Sequence, residues 1–218
     1  MKVLLLGATG MVGQGALREC LLDSGVDSVL ALGRTPTGVE HPKLRDMVRA
    51  DLFDLSPIAA ELSGYDACLF CLGVSSAGMS EEAYRRVTYD LTLSVAQTLA
   101  DVNPGMRFLY VSGAGTDSSE RGRMMWARVK GRTENALLKL PLDAYMFRPA
   151  FIQPQPGVRS KTTLYRALYA VSRPIYPVLR RLAPGVVTSS QALGRAMVAV
   201  AANGAPKRIL ETSDINAI

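Results

Sequence analysis

The sequence predicts an α/β fold: an open parallel sheet, doubly wound, with helices on both faces. Three observations predict it. Apolar runs of strand length alternate with helix-like stretches, the first run breaks into a glycine-rich turn that opens a helix, and no repeat or low-complexity linker interrupts the alternation. Strands read as unbroken apolar runs when both of their faces are covered, as they are in parallel sheets.

The first run is Met1-Lys2-Val3-Leu4-Leu5-Leu6. It leads into Gly7-Ala8-Thr9-Gly10-Met11-Val12-Gly13-Gln14-Gly15 and then into a helical stretch from Ala16 to Asp23. Strand, glycine turn and helix start, in that order, open a dinucleotide-binding βαβ unit of the Rossmann type. One glycine permits a tight turn, one lets backbone N–H groups approach a pyrophosphate, and one lets the helix sit close on the strand. The spacing is Gly-x-x-Gly-x-x-Gly, not the commoner Gly-x-Gly-x-x-Gly, so the context carries the assignment.

Ser28 to Leu32 reads as the second strand and Met47 to Ala50 as the third. Ser56-Pro57 starts a short helix, with proline where a missing N–H costs nothing. Asp66 to Leu72 is the fourth strand. Ser80-Glu81-Glu82 opens a long helix to about Ala100, its acids at the positive end of the helix dipole. Asn103-Pro104-Gly105 ends that helix, and Met106 to Val111 is the fifth strand. Arg121 to Leu140 is helical, Ala144 to Arg148 is the sixth strand, and Thr188-Ser189-Ser190 caps a helix running to Ala202 before a last strand at Arg208 to Leu210.

With 218 residues, 48% of them hydrophobic, the chain can bury one core. We expect a single domain: residues 1–150 as dinucleotide-binding core and 151–218 as a small substrate-side subdomain. No stretch reaches the roughly 18 uncharged apolar residues of a membrane span, and the N-terminus shows no signal-peptide pattern, so a cytoplasmic protein is expected. Cys20, Cys68 and Cys71 are too few for a disulfide framework. On a strand, Cys68 and Cys71 would point to opposite faces with Cα atoms about 10 Å apart, so they read as core residues. A single histidine, His41, excludes a His-rich metal site and leaves a Ser-His-Asp triad without a good base.

Charge divides the chain. The net charge is +6, yet ten basic and no acidic residues lie between Asp143 and Glu211, so the remainder is net acidic. Such a segment suits an anionic substrate, an acidic partner or a membrane surface, or serves solubility. Leu164, Tyr165, Leu168, Tyr169, Val171, Ile175, Val178, Leu179 and Leu182 recur at roughly helical spacing among its arginines, as in a packed face or a basic amphipathic helix; peripheral membrane contact through 159–183 is one expectation. Without a recognisable nucleic-acid module, no nucleic-acid partner is expected.

A carboxylate about 20 residues past the glycines marks NAD, whereas arginine there suits the 2′-phosphate of NADP. This chain has Gly33-Arg34-Thr35. Arg34 can grip a phosphate bidentately and Thr35 can add a hydroxyl, although arginine also suits an exposed turn. NADP(H) is therefore expected, with NAD the less favoured cofactor.

Gly7-Ala8-Thr9-Gly10-Met11-Val12-Gly13, Gly33-Arg34, Tyr110-Val111-Ser112-Gly113, Val129-Lys130-Gly131 and Phe147-Arg148-Pro149 together resemble the atypical short-chain dehydrogenase/reductases, the epimerase-like NAD(P)-binding proteins that include the Tat-interacting group. The resemblance spans nearly the whole chain. It implies a cofactor held by Gly7, Thr9, Gly10, Met11, Val12 and Gly13, with Asp51 and Leu52 near the adenine. Cys71, Leu72 and Gly73 would run along the cofactor, and Pro149 to Ile152 would lie near the nicotinamide. It also implies a catalytic Ser, Tyr and Lys, the last two as Tyr-x-x-x-Lys. Ser112 and Lys130 match the outer members, the lysine by this resemblance also binding the cofactor through its ribose hydroxyls and lowering the tyrosine pKa; Trp126 occupies the tyrosine position. An indole N–H donates but cannot shuttle a proton, so the position keeps its ring and loses its acid. Tyr84, Tyr89 and, less well, Tyr110 are alternative phenols.

Two functions fit these residues. One is an NADP(H)-dependent oxidoreductase or epimerase on a small substrate, with anionic ones favoured by the basic segment. The other is a non-catalytic NADP(H)-binding sensor or interaction module. The chain is expected as a monomer or homodimer.

Overall fold

The computed structural model describes residues 1–154 and 185–218. The apolar stripe at 164–182 and the basic segment 159–183 lie outside the described residues.

Seven parallel strands form the main sheet, in the order β3-β2-β1-β4-β5-β6-β9. They are β1 (Lys2–Leu6), β2 (Ser28–Gly33), β3 (Leu44–Val48), β4 (Ala67–Phe70), β5 (Arg107–Val111), β6 (Asp143–Arg148) and β9 (Ile209–Glu211). β7 (Phe151–Gln153) and β8 (Val187–Ser189) make a separate parallel pair. The order reverses between β1 and β4, and the crevice beyond the carboxyl ends of strands at such a reversal is where ligands bind.

Strict alternation divides the core between the two faces. Val3, Leu5, Ala67, Leu69, Leu109 and Phe147 face a cluster with α1 (Met11–Leu22) and α5 (Ser190–Asn203). Leu4, Leu6, Cys68, Phe70, Phe108, Tyr110 and Met146 face the other cluster, covered by the 3₁₀ helix Ser56–Leu62, α3 (Leu91–Val102) and α4 (Met125–Leu137). Cys68 and Cys71 pack on opposite faces, and all three cysteines are free. The doubly wound parallel sheet is thus the fold the sequence predicts. From the segment beyond residue 150, α5 packs on α1 and β9 pairs with β6.

Several elements differ from the sequence expectation. The third strand lies earlier, at Leu44–Val48, because its register is fixed by pairing to β2 while its own polar residues leave the pattern indistinct; Asp46 accepts from the Thr37 amide at 3.0 Å. The long helix is α2 (Glu81–Arg85), a π segment Arg86–Asp90, then α3; Ser80 caps it by accepting from the Ala83 amide. α4 begins at Met125, because Asp117 ties Gly122 and Ser119 into a loop, its carboxylate accepting from both amides at 2.6 and 3.0 Å. The β7–β8 pair and the short α6 (Thr212–Ala217) have no sequence signature of their own.

Candidate functional site

Where β1 ends, Gly7 takes φ +83° and Gly10 donates its amide to Gly7 O at 2.9 Å, closing the turn. Gln14 reaches back to Thr9 O at 3.0 Å and fixes the loop. At Gly13 a Cβ would stand 2.0 Å from Gly7 O, so only glycine lets α1 start this close to the strand. α1 has no side-chain cap at its N-terminus, which leaves first-turn amides and the positive end of the dipole facing the crevice.

Two cavities meet at this turn and share Thr9 and Leu72. The smaller, about 360 Å³, is lined by Gly7, Thr9, Gly33, Arg34, Thr35 and Leu52, among others. Arg34 is exposed and, among the described residues, is the only charged one in that lining. The larger cavity, about 650 Å³, runs along Thr9, Gly10, Met11 and Val12, past Cys71, Leu72 and Gly73, to Ser112, Trp126 and Lys130, with Pro149 and Ile152 beyond. Uncapped amides at the junction, an arginine at one end and a lysine at the other fit a dinucleotide laid across the turn. Asp51 lines neither cavity: its carboxylate accepts from the Phe53 amide at 2.8 Å, within its own loop. Among the described residues no cluster of metal-ligating side chains occurs.

Helix α4 supplies the far end of the larger cavity. Trp126, Lys130 and Glu134 are four residues apart and share one face, graded from cleft to interior. The Trp126 ring lies along the Gly113–Thr116 loop, its Cη2 3.4 Å from where a Gly115 Cβ would stand. Lys130 Nζ donates to the Ser112 carbonyl, and burial lowers its pKa to about 8. Glu134 is fully buried and paired with Arg148, whose Nε and Nη2 donate at 3.1 and 2.5 Å; Arg148 also reaches Ser118 at 2.6 Å. That pair holds the guanidinium pKa above its ordinary range.

Ser112 lines the larger cavity, but its hydroxyl is buried and donates to Glu134 Oε1 at 2.5 Å, which braces α4 against β5. Gly113 and Ala114, next along the cleft, have no side-chain donor. Glu134 itself was not foreseen as part of the site; its spacing from Trp126 and Lys130 was the available signal, but a mid-helix glutamate ordinarily reads as solvated.

The tyrosines separate clearly. Tyr84 lines the larger cavity, with burial raising its phenol pKa. Tyr89 lines neither cavity and stacks under Arg132, whose guanidinium carbon is 4.9 Å from the ring centroid. Tyr110 belongs to the core, its pKa pushed far up by burial.

Fold and crevice define a dinucleotide-binding protein of the atypical short-chain dehydrogenase/reductase type. Residues 7–171 match the sequence profile of the family described as NAD(P)H-binding, and the chain belongs to that family. Among curated relatives, it is 28% identical over 146 residues to leucinostatins biosynthesis cluster protein T of Purpureocillium lilacinum, covering 66% of this chain and 53% of that one. It is 27% identical over 154 residues to HTATIP2 of Rattus norvegicus, covering 69% and 62%. The chain thus matches little more than half to about three fifths of these relatives' lengths. Among solved structures, the Bordetella bronchiseptica enzyme WbmF in complex with NAD+ superposes with a TM-score of 0.68 at 16% identity, over 99% of this chain and 76% of that one. MoeE5 in complex with UDP-glucose and NAD gives 0.68 at 20% identity, over 96% and 75%. Both are likenesses of fold. Among the described residues no helix is long and apolar enough to cross a membrane.

Proposed function

We propose that this protein is an NADP(H)-dependent oxidoreductase acting on a small carbonyl or hydroxyl compound. The supporting observation is the continuous crevice from Arg34 and Thr35, across the glycine turn, to Lys130 and Trp126. Arg34 is placed to meet a 2′-phosphate; the uncapped start of α1 meets the pyrophosphate; Lys130 and the Pro149 to Ile152 wall meet the nicotinamide end. Bound there, the dinucleotide supplies or accepts a hydride, while the chain orients it and handles the proton.

A second reading is favoured by a different observation. Trp126 stands where the family places a phenol, and the Ser112 hydroxyl is committed to Glu134. Both suit a protein that holds NADP(H) without turning it over, as a sensor or interaction module.

Trp126 is the only tryptophan and lines the cavity, so its emission reports binding. NADPH is expected to quench it at about tenfold lower concentration than NADH, equivalent to about 1.4 kcal/mol from the Arg34 contact, and Arg34→Ala should erase the difference. Equal affinities in the wild type would remove the NADP preference. Oxidation of NADPH by a carbonyl panel, followed at the nicotinamide absorbance, then decides between the enzyme and the sensor.

A further inference from the structure

The crevice poses a question that the oxidoreductase reading leaves open: which group gives the substrate oxygen its proton. Among the described residues the donors can be taken one by one. The hydroxyls of Thr9, Ser75 and Ser76 line the cavity, but aliphatic alcohols are too weakly acidic to release a proton near neutral pH. Trp126 has an N–H but no acidity to exchange in turnover. The Ser112 hydroxyl is buried and donates to Glu134. The Thr116 hydroxyl, on the loop beyond, donates to Gly113 O at 2.7 Å. Burial pushes the Cys71 thiol far above its ordinary range, and Tyr84, the one phenol on the cavity wall, is also shifted upward.

Lys130 remains. Its Nζ lies 3.9 Å from where a Cβ of Gly113 would stand, and Gly113 has none to cover it. Of its three N–H groups, one is donated to the Ser112 carbonyl, which leaves two for other partners. Among the described residues that line the larger cavity it is the only basic one.

We infer that Lys130 is itself the general acid, its ammonium taking over the role that a phenol at position 126 has in the wider family. This rests on the oxidoreductase reading above. In the reducing direction a hydride arrives at the carbonyl carbon, the C=O π pair moves to oxygen, and oxygen takes a proton from Nζ. The products are the alcohol, the oxidised nucleotide and a neutral amine, which recovers its proton from water.

The groups around Nζ support a working acid. Burial against the β5–α4 junction disfavours the charge, and Glu134 one turn on partly restores it; Arg148 neutralises much of Glu134. The balance leaves Lys130 titrating at about 8, near physiological pH, where an acid can both hold and release a proton. Tyr84 and Cys71, the other titratable groups on the cavity wall, are neutral at that pH, because burial shifts both upward.

Two measurements test this. In the nucleotide-free protein, acetic anhydride labelling across a pH series, read residue by residue by mass spectrometry, should give Lys130 a reactivity midpoint near 8. A midpoint for Lys130 in the ordinary range overturns the inference. In the loaded protein, kcat/KM for 4-nitrobenzaldehyde with NADPH should fall about tenfold per unit above pH 8, as the ammonium is lost. Lys130→Arg keeps a cation that does not release its proton. It should still bind NADPH by Trp126 quenching and, compared at saturating NADPH, lose about 100-fold in kcat/KM for the aldehyde at pH 7. Undiminished reduction by Lys130→Arg overturns the inference alone, and so does a loss confined to Tyr84→Phe, which would move the role to Tyr84. Wild-type protein that binds NADPH and reduces neither this aldehyde nor any member of a carbonyl panel overturns the oxidoreductase reading and the inference with it.

Discussion

The two ends of the crevice have been treated differently by this sequence. At the β1–α1 turn every feature a dinucleotide needs is in place: a left-handed Gly7, a Gly13 that nothing larger can replace, and an uncapped helix start. At the β5–α4 end the scaffold is equally well built, but in the reading proposed here its reactive groups differ from those the family resemblance implies. The indole of Trp126 takes the ring position, and Ser112 is drawn inward by Glu134. Binding depends on backbone geometry, which few substitutions can reproduce by other means. Proton handling depends on one acidic group, which a neighbouring side chain can replace. The comparison therefore teaches that nucleotide holding and chemistry are separable here.

The largest expected effect breaks the first half of the comparison. In Gly13→Ala the new Cβ would stand 2.0 Å from Gly7 O and 2.9 Å from Ala8 Cα, both backbone atoms that cannot step aside. Either α1 moves off the strand or the turn reopens. We expect a stability loss of about 3 kcal/mol in urea denaturation, with NADPH quenching abolished in the molecules that remain folded. Normal NADPH affinity in Gly13→Ala would show that the turn does not cradle the pyrophosphate.

Next in its effect on the nucleotide site, though larger in stability, is the Glu134–Arg148 pair under the second half. Removing one member leaves the other charge buried without its partner, at a cost of about 3–5 kcal/mol. Glu134→Leu should lower the urea midpoint accordingly and free the Ser112 hydroxyl. The double variant Glu134→Leu/Arg148→Met should recover most of the loss, because an apolar pair avoids the desolvation that the ion pair must overcome. If the double variant is no more stable than the single one, the network of Arg148 with Ser118 and Glu211 dominates.

How much of this was legible in the sequence follows from what each feature depends on. β1, β4 and β5 were readable because burial on both faces demands an apolar residue at every position, as in Val3 to Leu6 and Ala67 to Phe70. β3 was misplaced because an edge strand carrying Arg45 and Asp46 has no such demand; its register comes from β2. The glycine turn was legible because steric need leaves a residue-type signature. Ser112 was not, because its hydroxyl direction is set by Glu134, 22 positions later, and nothing local marks a buried carboxylate inside a helix. Tyr84 and Tyr89 are five apart, so helical periodicity already sets them on different sides; which side meets the cleft depends on packing against distant elements, which no local pattern announces.

The smallest effect sharpens the comparison most. Trp126→Tyr restores the phenol four residues before Lys130, on the same face of α4. The smaller ring opens space beside Gly115 and brings a hydroxyl to the wall that Lys130 already lines. A cationic Lys130 lowers the pKa of a phenol beside it, and a phenol so placed offers a second acid for the same oxygen. If the crevice is catalytic, kcat/KM for 4-nitrobenzaldehyde should rise about tenfold, the fall above pH 8 should flatten, and Lys130→Arg should cost less in this background than in the wild type. If NADPH binds as before and turnover stays absent in both proteins, the β5–α4 end serves recognition alone, and the sensor reading takes the place of the enzyme.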